Sequence, residues 1–139
     1  MSGLSGIKDL INHLENRDDK KKILIIDDDP GYISLLRGWL KDDYKVFMST
    51  SGEMALEWLS ANTADLILLD FEMPDISGPE MLGRIKDCCA TPVVYVTGND
   101  SSAVEASIAA DPKGLRPDGC IFKTSGKDEI IKAITSFLI

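Results

Sequence analysis

The chain has 139 residues, of which 44% are hydrophobic, and a formal net charge of -8 from 15 lysines and arginines against 23 aspartates and glutamates. This length fits one domain with a sizeable buried core. The negative charge argues against direct binding to nucleic acid or to an anionic membrane, because phosphate groups would repel the protein. No apolar run approaches the length of a spanning helix, and the N-terminus lacks the apolar region of a signal peptide. We therefore expect a cytoplasmic protein without a membrane segment.

Residues 1–21 differ in character from the rest of the chain. Apolar residues recur there at the spacing of one helix face, at Ile7, Leu10, Ile11 and Leu14. An almost entirely charged stretch follows. The pattern predicts an amphipathic helix and a charged linker over 1–21, ahead of a domain over 22–139. Packing on the domain, pairing with a second copy and continuation of an upstream element are all open to this helix.

Five apolar segments predict strands, and the segments between them predict helices. Short runs of large apolar residues without polar interruption are typical of strands buried on both faces of a parallel sheet. The strands are predicted at 23–26, 44–49, 66–69, 92–96 and 120–122. Helices are predicted to begin at Pro30, at Thr50–Glu53, at Ser77–Glu80, near Ser102 and at Ser125–Asp128. Strands that alternate with helices indicate an α/β fold with helices on both faces of the sheet.

The first two helices have apolar stripes that we expect to face the core. In the first helix the stripe is Tyr32, Leu35, Leu36, Trp39 and Leu40. In the second helix it is Met54, Ala55, Trp58 and Leu59.

Side chains suited to chemistry follow four of the five strands. Asp27–Asp29 come after the first strand and Asp70 after the third, while Thr97 and Lys123 come after the fourth and fifth. Because the carboxyl ends of parallel strands meet at one edge of a sheet, we expect these groups to lie close together. Two carboxylates about 4 Å apart repel by roughly 4 kcal/mol, and a hard divalent cation, best Mg²⁺, would offset that repulsion. Carboxylates, a cation, a hydroxyl and an ammonium are the parts needed for phosphoryl transfer to an aspartate.

Four segments, ILIIDDDP, LILLDFEMPDISG, VVYVTG and CIFK, carry a resemblance to a known family. In their order and spacing, the chain from about Lys22 to Ile139 resembles the receiver domain of two-component response regulators. The resemblance implies a flavodoxin-like, doubly wound five-stranded sheet of order 2-1-3-4-5. It also implies a signalling switch, not a turnover enzyme, with a histidine kinase or phosphotransfer protein as phosphoryl donor and an output partner that the sequence does not identify.

The same resemblance assigns the groups that handle the phosphoryl group. Asp70 matches the aspartate that is phosphorylated. Thr97 matches the hydroxyl that moves to the phosphoryl group on activation, and Lys123 matches the lysine that pairs with the phosphoryl oxygens.

A Mg²⁺ site is implied beside the phosphorylated aspartate. Asp27 and Asp28 match the acidic pair that holds the cation, with Asp28 the more direct ligand. Asp70 itself and the backbone carbonyl of Glu72 complete the implied protein ligands. Asp29 has no fixed role in the family, and we expect a carboxylate that caps a helix or a loop.

Three positions depart from the family pattern. Residue 120 is often Tyr or Phe in the family and rotates on activation, whereas this chain has Cys120. The usual Lys-Pro peptide, typically cis, is Lys123-Thr124, and because a non-proline cis bond costs about 3 kcal/mol we expect it to be trans. The connection over 111–119 is longer than usual and is either a surface for a specific partner or a tolerated insertion.

Two other functions stay open. A receiver-like interaction module that does not need phosphorylation would accommodate Cys120 and Thr124. A haloacid-dehalogenase-like phosphatase also uses Asp, Mg²⁺, Thr and Lys, but its D-x-D-x-T pattern would place a Thr where this chain has Gly31. No output domain follows the last helix, so the chain is a single-domain regulator or a fragment, and a homodimer through the N-terminal helix or the fourth and fifth strand–helix units also stays open.

Overall fold

The fold is that of a computed structural model, which describes residues 6–7, 20–98 and 101–139. Apart from residues 6 and 7, which are helical, the predicted N-terminal helix and most of the charged linker lie outside the described residues. The division of the chain at residue 22 therefore stays a prediction.

A five-stranded parallel sheet forms the centre of the described chain. Its strands are β1 (Lys22–Ile26), β2 (Lys45–Ser49), β3 (Leu66–Asp70), β4 (Val93–Thr97) and β5 (Gly119–Phe122). They lie in the order β2-β1-β3-β4-β5, and every pairing is parallel. The observed strand positions, fold class and strand order agree with the predicted ones, so these predictions are confirmed. β3 and β4 are buried along their whole length, as their unbroken apolar runs predict.

Within the described strand–helix units, four helices connect the strands and a fifth follows β5. They are α1 (Pro30–Leu40), α2 (Gly52–Ala61), α3 (Gly78–Cys88), α4 (Ser101–Ala110) and α5 (Lys127–Ser136). Oxygen-bearing side chains cap the first three: Asp29 caps α1, Ser51 caps α2 and Ser77 caps α3. Each accepts a hydrogen bond from a backbone N–H of the first turn, which that turn cannot satisfy internally. Within the described residues, no helix is long and apolar enough to cross a membrane.

The sheet separates two apolar cores. On one face, α1 and α5 pack against alternate residues of the central strands, including Ile23, Ile25, Leu66 and Leu68. On the other face, α2, α3 and α4 cover the intervening residues, including Leu24, Ile26, Ile67 and Leu69. The two-residue alternation of a strand thus supplies both layers from the same sequence.

For two residues of the helix stripes, the prediction that they face the core is wrong. Leu35 is 47% exposed and Met54 is 61% exposed, whereas Leu36 and Ala55, their neighbours in sequence, are buried. Successive residues are rotated by about 100° around the helix axis. The sequence neighbour of a residue at the centre of the buried face therefore lies at the border of that face or outside it. Ile33, which the predicted stripe omitted, is 4% exposed and takes the place that Leu35 was assigned.

Candidate functional site

The predicted site residues meet at the carboxyl edge of the sheet. Asp27 follows β1, Asp70 ends β3, Thr97 ends β4 and Lys123 follows β5. The parallel register brings the ends of the strands level, with Asp70 opposite Val96. Asp27 is 2% exposed and Asp70 is 4% exposed, so their carboxyl groups are nearly removed from water.

Three carboxylates form a compact acidic group. Asp27, Asp28 and Asp70 each offer an oxygen, and these oxygens all lie within 4.8 Å of one another. Hard oxygen donors at this spacing suit Mg²⁺, which binds carboxylates and keeps part of its water shell. Asp28 is exposed, so the group is open to solvent on one side. The residues present therefore fit the predicted cation.

Asp29 does not belong to this acidic group. Its Oδ1 accepts hydrogen bonds from the N–H of Gly31 at 2.9 Å and of Tyr32 at 3.4 Å, which caps α1. Its own N–H donates to Asp27 Oδ1 at 2.9 Å. The expected capping role is confirmed.

Lys123 supplies the positive charge of the site. Its Nζ lies 2.8 Å from Asp27 Oδ2 and 3.8 Å from Asp70 Oδ1. Burial by itself would lower the pKa of Lys123, but the hydrogen bond and charge of Asp27 outweigh burial and raise that pKa, so the ammonium stays charged. The turn that holds it is fixed by the Lys123 N–H, which donates to the Thr97 carbonyl at 2.8 Å. The described residues contain no cis peptide bond, so the Lys123-Thr124 bond is trans as expected.

Asp70 has an unusual acidity for an aspartate. Burial, with a further contribution from the negative charge of Asp27, raises the pKa of Asp70 to about 7. The Glu72 N–H, which donates to Asp70 Oδ1 at 3.1 Å, and the charge of Lys123 act in the opposite direction. A cation beside the three carboxylates would favour the charged, nucleophilic form.

Glu72 has a side-chain contact that the sequence did not predict. The buried hydroxyl of Thr97 donates a hydrogen bond to Glu72 Oε1 at 3.3 Å. The prediction assigned the backbone carbonyl of Glu72 to the cation and named no hydrogen-bond partner for its side chain. Its position two residues after the end of β3, level with the end of β4, is the signal that could have indicated the contact.

Tyr32 is a second residue that the sequence did not assign to the site. The predicted stripe placed it in the core, and part of its ring does contact the α1 and α5 core. The same ring lies beside the site, with its centroid 4.7 Å from Lys123 Nζ. A cap at Asp29 puts the third helical residue next to Asp27–Asp29, which we call the acidic loop. This spacing is the feature of the sequence that could have indicated the contact.

Cys120 is partly buried and packs against the core of the α2, α3 and α4 face, opposite Tyr95 in the β4–β5 ladder. Tyr95 is fully buried, and its ring and that of Phe71 pack in a T-shaped arrangement with centroids 5.1 Å apart. Aromatic packing beside Asp70 therefore comes from β4 and from the residue after β3, while β5 contributes a small thiol.

Comparisons with known proteins agree with this geometry. The family model described as "Response regulator receiver domain" matches residues 23–135. A "Probable cyclic di-GMP phosphodiesterase" from Vibrio cholerae is 39% identical over 82 residues, which cover 57% of this chain and 19% of that protein. The "Transcriptional regulatory protein KdpE" from Mycobacterium tuberculosis is 28% identical over 110 residues, which cover 78% of this chain and 47% of that protein. The chain thus spans less than half the length of these two relatives.

A similar solved structure is the response regulator protein TrrA from Thermotoga maritima in complex with Mg²⁺-BeF. It has a TM-score of 0.71 and 28% sequence identity, and the match covers 84% of this chain and 98% of that one. The family match, the strand order and the group of carboxylates with a neighbouring lysine and threonine lead to the same conclusion. The chain belongs to the family of response regulator receiver domains.

Proposed function

We propose that this domain is a phosphorylation-dependent switch in which Asp70 accepts a phosphoryl group. The observation that carries the proposal is the arrangement of three carboxylates within 4.8 Å of one another with an ammonium 3.8 Å from Asp70. The donor is a histidine kinase or a phosphotransfer protein that presents a phosphohistidine. An Asp70 carboxylate oxygen attacks the phosphorus, the P–N bond breaks with its electron pair going to nitrogen, and the imidazole, already protonated on its other nitrogen, leaves as neutral histidine.

Asp27, Asp28, Asp70 and the Glu72 carbonyl would hold Mg²⁺ in this reaction. When bound, Mg²⁺ would offset the charge of the carboxylates and of the phosphoryl oxygens. Support comes from the oxygen-only donor set of this chain, and TrrA, a similar protein, carries Mg²⁺-BeF in its solved structure.

Lys123 lies near two carboxylates in this mechanism. Its Nζ is closer to Asp27, at 2.8 Å, than to Asp70, at 3.8 Å. If the Asp27 carboxylate held a bound cation, its ion pair with Lys123 would weaken. The Lys123 ammonium would then be available to the new phosphoryl oxygens. These oxygens add about -1.5 to -2 charges to the site, for which Lys123 is the counterion.

Thr97 carries the signal away from the site in this proposal. Its hydroxyl leaves the Glu72 carboxylate and donates to a phosphoryl oxygen. Since Thr97 ends β4 and its carbonyl accepts the Lys123 N–H, the change reaches both the β4–α4 and β5–α5 units.

The wider setting of the domain is also a proposal. We propose residues 22–139 as the receiver domain, 1–21 as an amphipathic helix with a linker, and the cytoplasm as the compartment where the kinase acts. The relatives named above extend beyond the region that matches this chain.

The test uses phosphoramidate, a small donor whose P–N bond resembles that of phosphohistidine. Intact-mass analysis with Mg²⁺ or with EDTA compares the wild type with Asp70→Asn and with Asp29→Asn, which removes one charge from the same loop and keeps a capping residue. We expect one phosphoryl adduct in the wild type and in Asp29→Asn with Mg²⁺, and none in Asp70→Asn. A folded wild type that forms no adduct would instead support the phosphorylation-independent interaction module.

A further inference from the structure

The Lys123 ammonium contacts two kinds of group. The first is a pair of carboxylates, with Asp27 Oδ2 at 2.8 Å and Asp70 Oδ1 at 3.8 Å. The second is the ring of Tyr32, whose centroid is 4.7 Å from Nζ. A lysine side chain is long and flexible, so fixing its charged end requires contacts of this kind. An ammonium within about 6 Å of a ring centroid is attracted by the negative face of the ring.

The position of the Tyr32 ring is set by the acidic loop. The Asp29 carboxylate accepts hydrogen bonds from the N–H of Gly31 and of Tyr32, so the first turn of α1 is fixed to the loop that bears Asp27 and Asp28. Pro30 at the start of the helix restricts the same turn. The loop thus positions the carboxylates and the ring together.

The Tyr32 hydroxyl does not explain the contact with Lys123. It is buried and has no hydrogen-bond partner within the part of the chain that the structure describes. Burial and the charge of Asp27 raise the pKa of Tyr32 to about 12, so the side chain is a neutral phenol at physiological pH. The ring is therefore the part of Tyr32 that acts on the ammonium.

We propose that Tyr32 is a positioning residue for the phosphoryl-transfer site, whose ring holds the Lys123 ammonium between Asp27 and Asp70. The proposal rests on the proposed function for its consequence, which is faster capture of the phosphoryl group. It does not rest on that function for the contact itself. A lysine without the ring would sample more rotamers and would meet the phosphoryl oxygens less often.

The test compares aromatic and non-aromatic replacements. Tyr32→Phe keeps the ring, while Tyr32→Leu and Tyr32→Met remove it and keep an apolar side chain against the core. Trp39→Leu is the matched control, because Trp39 lies on the same helix and faces a different lysine, with its ring 5.9 Å from Lys127 Nζ. Thermal unfolding of each variant identifies those that fold.

Two readouts are measured. In metal-free protein without a donor, NMR relaxation gives the order parameter of the Lys123 ε-methylene group. We expect it to fall in the Leu and Met variants and to stay at the wild-type value in Tyr32→Phe and Trp39→Leu. With phosphoramidate and Mg²⁺, we expect the rate of adduct formation to fall about three- to tenfold in the Leu and Met variants and to stay within about twofold in the other two.

An unchanged Lys123 order parameter in the folded Leu and Met variants would overturn the proposal, and so would a loss in Tyr32→Phe as large as in Tyr32→Leu. A wild type that forms no adduct would refute the proposed function instead. The order parameter would in that case still test the contact.

Discussion

Thr97 donates its hydroxyl to the carboxylate of Glu72, with 3.3 Å between Oγ1 and Oε1. Thr97 is fully buried at the end of β4, whereas Glu72 lies on the surface two residues after Asp70. A surface carboxylate thus holds the hydroxyl that the proposed mechanism requires at the phosphoryl group. The two positions of the hydroxyl exclude each other, so this hydrogen bond would oppose the proposed activation.

Replacing Glu72 by Ala should lengthen the lifetime of the phosphorylated state. The variant removes the competing acceptor for the Thr97 hydroxyl and a negative charge beside the phosphoryl group. A hydrogen bond to an exposed carboxylate is worth about 1 kcal/mol, which corresponds to a change of about fivefold. The half-life of the adduct, followed by intact mass after removal of the donor, measures it. Glu57→Ala, which removes an exposed carboxylate from α2, is the control, and an unchanged half-life in Glu72→Ala would refute the competition.

Mg²⁺ should stabilise the folded domain through Asp28 and not through Asp29. Binding to the folded state alone contributes about 2.7 kcal/mol at a hundredfold excess over Kd. We expect Asp28→Asn to lose about 1.4 kcal/mol of this gain, because a lost carboxylate ligand weakens binding about tenfold. Asp29→Asn changes the charge equally and keeps the cap of α1, so its gain should match that of the wild type. Thermal unfolding with Mg²⁺ or EDTA decides, and equal losses in both variants would mean a general charge effect.

In metal-free protein, the stability of the domain should fall as the pH rises toward 7. The pKa of Asp70 is about 7 in the folded protein against 3.8 for an ordinary aspartate, so the folded state holds an extra proton between these values. The contribution of this group is complete below pH 4 and is lost as the pH rises through 7. When the pH rises from 5 to 8, the free energy of unfolding of the wild type should therefore fall by about 2 kcal/mol relative to that of Asp70→Asn. Urea unfolding in EDTA at both pH values measures the difference. Parallel pH profiles of the wild type and the variant would show that burial does not raise the pKa of Asp70.

Gly78, the first residue of α3, should permit the close approach of this helix to the Phe71 backbone. A Cβ at this position would lie 2.8 Å from the Phe71 carbonyl oxygen and 3.0 Å from the Phe71 Cα, both of which are backbone atoms. We expect Gly78→Ala to lower the free energy of unfolding by about 1–3 kcal/mol. Gly38→Ala is the control, because a Cβ there meets nothing within 4 Å, and it should raise stability by about 0.5–1 kcal/mol. A neutral Gly78→Ala in urea unfolding would contradict the close approach.

Much of the fold and of the site follows from the sequence for one physical reason. Strands buried on both faces must be continuously apolar, so the polar residues that end them are conspicuous, and in a parallel sheet those residues share an edge. Asp27, Asp70, Thr97 and Lys123 are visible in this way. Asp29 is visible as a cap because Pro30 follows it.

The contacts that the sequence did not reveal join elements far apart in the chain. Tyr32 meets Lys123 because the start of α1 and the end of β5 come together at the carboxyl edge of the sheet. The Thr97–Glu72 hydrogen bond depends on a side-chain rotamer, which an amino-acid pattern does not encode. Leu35 and Met54 show a further limit, because apolar residues also occupy the borders of a helix face.

The central claim is that Asp70 carries the phosphoryl group, and chemical mapping of that group tests it most directly. Borohydride reduces an aspartyl phosphate to homoserine, which peptide mass spectrometry locates in the chain after reaction with phosphoramidate and Mg²⁺. The account predicts homoserine at position 70 and at no other aspartate, and none when Mg²⁺ is replaced by EDTA. Homoserine at Asp27 or Asp28 would contradict it.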